Sequence, residues 1–234
     1  MTIGVTAGGE TLTNKAEASP GVQMLRTDGQ VSQITYKLSG TSGATLYGAA
    51  FEGEKGVVID NMSLRGSGGG NLASIPLETL KDFARLRPYD LIVFQFGLNV
   101  CSNRSSEAGL KAYIASMDKV IANFREAYPD AAILIVSMPD RDQRTANGIH
   151  TIPQVKTLVH LQEGMALDHK VAFFNLFECM GGDDAMKGLV EKGLGQKDYT
   201  HMNYKGGTEL AGRMFQSFQG GLANHKRRIG ETRK

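Results

Sequence analysis

From residue 56 onward, short apolar runs alternate with stretches of helical periodicity. Apolar runs occupy residues 56–60, 91–96, 131–138 and 171–176. Each is rich in β-branched or aromatic residues, too short for an ordinary helix, and bounded by polar or glycine residues. That texture predicts strands buried on both faces. Between the runs, apolar residues recur every three or four positions. Helices are expected near 76–85, over 106–128 (Leu110, Tyr113, Ile114, Met117, Ile121, Phe124), over 153–168 (Val155, Leu158, Val159, Gln162, Met165) and over 206–218. Strands alternating with helices predict βαβ crossovers and a parallel sheet.

Residues 1 to about 52 read differently. Gly8-Gly9, Ser19-Pro20-Gly21, Asp28-Gly29 and Ser39-Gly40 break the chain into short pieces. Residues 31–38 and 44–48 carry β-branched and aromatic side chains, which predicts antiparallel β-structure forming part of a sandwich. A handful of strands with an open edge is marginal alone, so this module is expected to be incomplete. The organisation expected is a partial β-sandwich over 1–55, an α/β domain over 56–220, and a basic C-terminal tail over 221–234.

Composition narrows the function classes. Of 234 residues, 41% are hydrophobic and 21% charged, enough for a packed core and too apolar for wholesale disorder. The formal net charge is +2 and its cations form no stripe, which argues against nucleic acid as a partner. The basic run His225-Lys226-Arg227-Arg228 reads as a solvated tail. No run of about eighteen apolar residues is present, so no membrane span is expected. No basic and apolar leader begins the chain. Cys101 and Cys179 are too few for a disulfide framework or a metal cage.

Candidate chemistry gathers at three places. The strand at 56–60 runs into Ser63-Leu64-Arg65-Gly66-Ser67-Gly68-Gly69-Gly70, a glycine-rich loop of the kind that points N–H groups at anions. It lacks the Gly-Lys-Ser/Thr of a phosphate-binding P-loop and the spacing of a dinucleotide fingerprint. The strand at 91–96 ends in Gly97-Leu98-Asn99, which sets a side-chain amide at the carboxyl end of a sheet strand, where α/β proteins bind ligands. The last helix is preceded by Asp198-Tyr199-Thr200-His201. A carboxylate three residues before an imidazole can fix its tautomer and support the imidazolium formed when the other ring nitrogen takes a proton. His150, His160, His169 and His225 fall in no such pattern.

In combination these blocks resemble the SGNH (GDSL-type) hydrolases. In that family a serine, a glycine, an asparagine and a histidine come from ordered blocks, with an aspartate three residues before the histidine. Gly66 matches the block glycine, Asn99 the block asparagine, and Asp198 with His201 the last block. The runs from Val58 to Gly66 and from Cys179-Met180-Gly181-Gly182 to His201 are similar to bacterial two-module carbohydrate esterases that carry an inserted β-sandwich. The likeness covers roughly residues 30–218. Two departures stand out. Gly-x-Asn-Asp reads Gly97-Leu98-Asn99-Val100, and no Gly-Asp-Ser block occurs anywhere.

The resemblance implies a flavodoxin-like, three-layer α/β core and a serine esterase that removes O-acyl groups, O-acetyl first among them, from a polysaccharide. His201 and Asp198 would form the base half of the catalytic triad. The Gly66 N–H and the Asn99 amide would form the oxyanion hole. Neither metal nor organic cofactor is required, and a secreted or periplasmic setting is implied. The nucleophile is expected on an upstream segment, so this chain alone should be inactive or weakly active. Ser63 and Ser67 are the in-chain serines near the site, with loop hydrogen bonding the favoured reading of both. Two other readings stay open: a non-catalytic carbohydrate-binding or assembly protein that keeps the fold, and a flavodoxin-like phosphate binder using the loop at 66–70.

Overall fold

A hairpin opens the chain. Thr2–Ala7 (β1) pairs antiparallel with Glu10–Lys15 (β2), and on its other side with Ile34–Ser39 (β3), giving a sheet of order β2-β1-β3. The computed structural model describes residues 1–7, 9–29 and 33–230. They divide into two compact units, residues 1–64 with 75–88, and residues 65–74 with the chain from Tyr89 onward. The hairpin was not legible in sequence because β2 is largely exposed and Val5 is the one buried hydrophobic residue among the described side chains of β1. Leu12, Tyr36 and Leu38 all keep 40% or more of their surface, so no apolar face announces them. Residues 31 and 32 of the expected strand lie outside the described residues. The expected strand at 44–48 is irregular instead, with Tyr47 packed edge-on against Phe83 of helix Leu77–Leu86 (α1), ring centroids 5.0 Å apart.

The expected core strand at 56–60 is also absent. Val57 and Ile59 are 89% and 86% exposed. A strand needs a neighbour to satisfy its N–H and C=O groups, and among the described residues none pairs with this segment. The segment is instead held at its end by an ion pair, Arg87 to Asp60 at 2.8 Å, with Glu52 on the same guanidinium.

The second unit carries the parallel sheet. Leu91–Gln95 (β4) pairs with Ala132–Val136 (β5), which also pairs with Ala172–Phe174 (β8), in the order β4-β5-β8. Between β5 and β8 a small antiparallel hairpin, Asp142–Thr145 (β6) and Gly148–Thr151 (β7), stands apart from the sheet. The helices are Glu107–Ala127 (α2), Pro153–Asp168 (α3), Leu176–Met180 (α4), Ala185–Glu191 (α5) and Tyr204–Arg228 (α6).

Alternation along β5 builds the layers. Successive side chains of a strand point to opposite faces. Ile133 and Ile135 pack with Phe94, Met117, Val120, Ile121, Met165 and Ala166, the layer formed by α2 and α3. Leu134 and Val136 pack on the other face with Met186, Leu189 and Leu210 from α5 and α6. The result is the expected three-layer α/β core. The strand β4 departs from expectation. Phe94 is buried, but Leu91 and Val93 on its opposite face are each 46% exposed. It is a sheet edge covered on one side. The last helix runs ten residues beyond its expected end at 218, through the expected tail to Arg228. Among the described residues no helix is long and apolar enough to cross a membrane.

Candidate active site

The loop after β4 is positioned by backbone geometry and two polar clamps. Gly97 has φ +128°, a region L side chains rarely adopt, and a β-carbon there would meet the Met138 side chain at 2.8 Å. Gln162 of α3 reaches into this layer. Its Nε2 donates to the Phe96 carbonyl and its Oε1 accepts from the Met138 N–H, both at 2.9 Å. A single buried amide thereby ties together the ends of β4 and β5. Arg141, after β5, donates through Nη1 to the carbonyls of Cys101 (2.6 Å) and Leu98 (3.3 Å). These carbonyls flank Asn99, so Arg141 fixes the turn that carries it.

Asn99 is exposed, and its Nδ2 donates to the Ser67 carbonyl at 3.0 Å. An amide nitrogen bears two hydrogens, so this bond uses one and orients the group. It also brings Asn99 against the glycine loop. Gly66 has φ +80° with open space around its β position. Gly68, Gly69 and Gly70 are glycine for another reason. A β-carbon on them would meet Val100, the Phe96 ring and Ser116 at 2.6–2.7 Å. The run is therefore built for close packing under the loop, which gives the phosphate-cradle reading no support. Ser67 Oγ donates to Asn71 Oδ1 at 2.9 Å and accepts from the Gly69 N–H at 3.1 Å. Ser63 takes part in a local turn, its N–H donating to Asn61 Oδ1. Both serines sit in loop hydrogen bonding.

The turn before α6 is the most tightly specified element of the site. Asp198 Oδ1 accepts from the N–H groups of Thr200 and His201, each at 3.0 Å, while Oδ2 lies 2.7 Å from His201 Nδ1. Tyr199, between them, takes φ +55°. The flanks are pinned: the Gln196 N–H donates to the His201 carbonyl at 2.7 Å, and Asn203 caps α6 through Oδ1 to the Gly206 N–H. Desolvation by burial pushes the Asp198 carboxyl up, but the bonds from the His201 ring and from the two backbone N–H groups outweigh it. The carboxyl is held below its ordinary value.

Two further His–Asp pairs occur among the described residues, His150 with Asp184 at 3.0 Å and His169 with Asp118 at 2.9 Å. What distinguishes His201 is its setting. It lines an open cavity of about 580 Å³ with Arg65, Gln196, Lys197 and Asp198. A second cavity of about 370 Å³ adjoins it, sharing Lys197 and Asp198 and lined also by Ser102, Asn103, Arg141, Arg144 and Thr200. Residues that follow β4 and β5 thus share a cavity with the Asp198 turn. The site lies at the carboxyl-end edge of the sheet, where α/β folds bind ligands. The structure brings the four residues singled out in sequence together as two pairs, and neither Gly66 nor Asn99 lines a cavity with His201. Asp198 and His201 are bonded directly, Asn99 is bonded to the residue after Gly66, and Arg65 before Gly66 shares the His201 cavity. Cys101, close to Asn99, is buried, and burial raises its thiol to about 11, which leaves it protonated at neutral pH. Among the described residues no cluster of three or more His, Cys, Asp or Glu is placed to hold a metal.

Sequence reasoning missed Arg141, Gln162 and a buried carboxylate pair, Asp140 and Asp142, behind the site. Asp140 Oδ1 accepts from Thr151 Oγ1 at 2.8 Å and Asp142 Oδ1 lies 3.0 Å from the same hydroxyl. The Asp142 N–H donates to the Tyr199 carbonyl at 3.0 Å, joining this pair to the Asp198 turn. The signals were present. Asp140-Arg141-Asp142 follows a core strand, and Gln162 interrupts an apolar stripe.

The chain thus has a three-layer α/β core with a His–Asp pair before its last helix and a side-chain amide after its first parallel strand. A solved structure shares this fold. A peptidoglycan O-acetylesterase superposes with TM-score 0.59 at 20% identity, over 68% of this chain and 45% of its own. Weaker likenesses are to a carbohydrate acetylesterase from Sinorhizobium meliloti (TM-score 0.42, 17% identity, 70% of this chain and 71% of its own) and a lipase/acylhydrolase from Enterococcus faecalis (0.42, 18%, 61% and 69%). The chain thus spans less than half the length of the peptidoglycan O-acetylesterase. No protein-family model and no curated protein matches the sequence.

Proposed function

We propose that this chain carries the base and oxyanion half of an SGNH-type serine esterase that removes O-acyl groups, O-acetyl in the first instance, from a polysaccharide. The single observation that carries the reading is the 2.7 Å bond between Asp198 and His201 Nδ1 at the mouth of an open cavity. With Nδ1 held by the carboxylate, Nε2 is the nitrogen left to take a proton from a serine hydroxyl as that oxygen attacks the ester carbonyl. The imidazolium then returns the proton to the departing sugar oxygen. Asn99 and the Gly66 N–H would donate to the tetrahedral oxyanion. Removing one such donor typically costs about 3 kcal/mol of transition-state stabilisation. The reaction needs no metal and no organic cofactor.

The nucleophile in this reading is a serine in a Gly-Asp-Ser block upstream of residue 1, since no such block occurs within the 234 residues. Both nearby serines have roles in the loop, and Ser67 is engaged through its hydroxyl. The same observation favours a second reading, a non-catalytic carbohydrate-binding or assembly protein that keeps the fold. The test is p-nitrophenyl acetate turnover alongside labelling by a fluorophosphonate probe. The chain as it stands should turn over slowly or not at all and should not label. Addition of the upstream coding segment should restore both. Strong labelling of the present chain at Ser63 or Ser67 would overturn the placement of the nucleophile. Failure of the extended protein to hydrolyse any acyl ester would favour the non-catalytic reading.

A further inference from the structure

The two cavities that meet at Asp198 are lined asymmetrically in charge. Arg65 and Lys197 line one; Arg141, Arg144 and Lys197 line the other. The acidic lining groups are Asp198 and Asp142, and both are spoken for. Asp198 is bonded to His201 and Thr200 through its two oxygens. Asp142 is buried, with Oδ2 accepting from the Lys187 N–H and Oδ1 beside Thr151. Arg141 is committed to the Leu98 and Cys101 carbonyls. Arg65, Arg144 and Lys197 make no ion pair among the described residues, and all three are exposed. Elsewhere in the chain, cations such as Lys111, Lys156 and Arg213 do pair with nearby carboxylates. Unpaired cations concentrated around one concave site create a positive potential that draws and orients an anion.

We propose that Lys197 and Arg144 form an anion-reading subsite beside Asp198, so that the saccharide bound here carries an anionic group on a sugar next to the acylated one. Lys197 lines both cavities, which places it between the ester position at His201 and the neighbouring sugar. Arg144 lines the second cavity with Lys197, and Ser102 and Asn103 there offer hydrogen bonds to sugar hydroxyls. This inference rests on the esterase reading for the word "acylated", but the subsite itself is a matter of binding and needs no nucleophile.

The experiment is therefore a binding titration on the present chain by calorimetry, using three hexasaccharides: hexagalacturonate, the same oligomer after carboxyl reduction, and a sulfated galactan hexamer. At low salt one of the anionic oligomers should bind about tenfold more tightly than the neutral one, and the preference should shrink as ionic strength rises. Lys197→Ala and Arg144→Ala should each weaken anionic binding about threefold and leave neutral binding unchanged. Lys226→Ala, in the remote basic run, should change nothing. Circular dichroism of each variant confirms an intact fold. Preference for the carboxylate oligomer assigns a uronic-type substrate, and preference for the sulfated one assigns an ester-sulfate type. Equal binding of neutral and anionic oligomers, an anionic preference untouched by both substitutions, or no binding of any of the three would overturn the subsite. Charge-selective binding by the present chain, with an upstream-extended protein that hydrolyses no ester, would leave the subsite standing and remove the esterase reading instead. Equal binding in an active esterase would do the reverse.

Discussion

Asp198 holds His201 twice, through the ring at Nδ1 (2.7 Å) and through the backbone N–H (3.0 Å). One carboxylate thus sets both the tautomer of the imidazole and the turn on which it stands. The Asp198 pKa lies below its ordinary value, so the bonds made by the ionised form contribute stability that is fully present above the unfolded value of about 3.9 and is lost as pH falls through the folded one. The side chain is half exposed, so the contribution is screened and small, about 1 kcal/mol or less. The side-chain carboxyl carbon resonance of Asp198 should show the large shift that marks carboxyl protonation only below about pH 4. Carboxyl protonation centred well above pH 5 would mean the carboxylate is not held as described.

Asp140 behaves in the opposite sense. Burial raises its carboxyl to about 7, and Asp142 beside it adds to the rise against the pull of the Met186 N–H. A folded value above the unfolded one, about 3.9, means the native state keeps a proton that the unfolded chain releases. Stability from this group is therefore full at the acid end, declines as pH rises from about 4 to 7, and levels off above. The melting temperature should fall across that window. Asp142→Asn removes the like charge and should narrow it. A window of unchanged width in the Asp142→Asn variant would contradict the influence of Asp142 on its neighbour.

Gln162 should be among the costliest polar residues to replace. Gln162→Leu leaves the Met138 N–H and the Phe96 carbonyl buried without partners, at about 1–3 kcal/mol each. Chemical denaturation should register a loss of about 2–5 kcal/mol, and Gln162→Glu should fall between, since a carboxylate accepts but does not donate. A loss under about 1 kcal/mol for Gln162→Leu would show that the clamp is not needed.

Asn99→Ala removes the bond to the Ser67 carbonyl, an exposed contact, so global stability should change by less than about 1 kcal/mol. If the esterase reading holds, its effect in a protein extended upstream should appear in kcat, lowered about a hundredfold or more with KM little changed, because an oxyanion donor strengthens its bond only as the negative charge forms. A pure KM effect would assign Asn99 to substrate binding instead.

Much of the α/β core was legible because burial writes itself into sequence. The runs that became β4, β5 and β8 are apolar along their length, and the stripes on α2 and α3 repeat every three or four residues. Where burial fails, so does legibility. Val57, Val58 and Ile59 have a strand's composition without a partner to hydrogen-bond, and they remain exposed coil. The β1–β2 hairpin folds with almost no apolar signal. Asn99, Asp198 and His201 stood out because each occupies a short pattern beside an element, whereas Gly66 was singled out after a segment that forms no strand. Arg141 did not, because its role is to hold carbonyls some forty residues away, a relation no local spacing records. Gln162 was visible only as a polar residue in an apolar stripe.

The most direct test of the site is acetate release from an O-acetylated polysaccharide by the protein extended upstream to include a Gly-Asp-Ser serine, compared with its His201→Ala variant. If Asp198 and His201 are the base half of a triad, the substitution should lower kcat/KM by about a thousandfold or more while the fold is retained, because His201 supplies the one imidazole among the residues that line the cavity. Turnover left intact by His201→Ala in a folded protein would contradict the assignment.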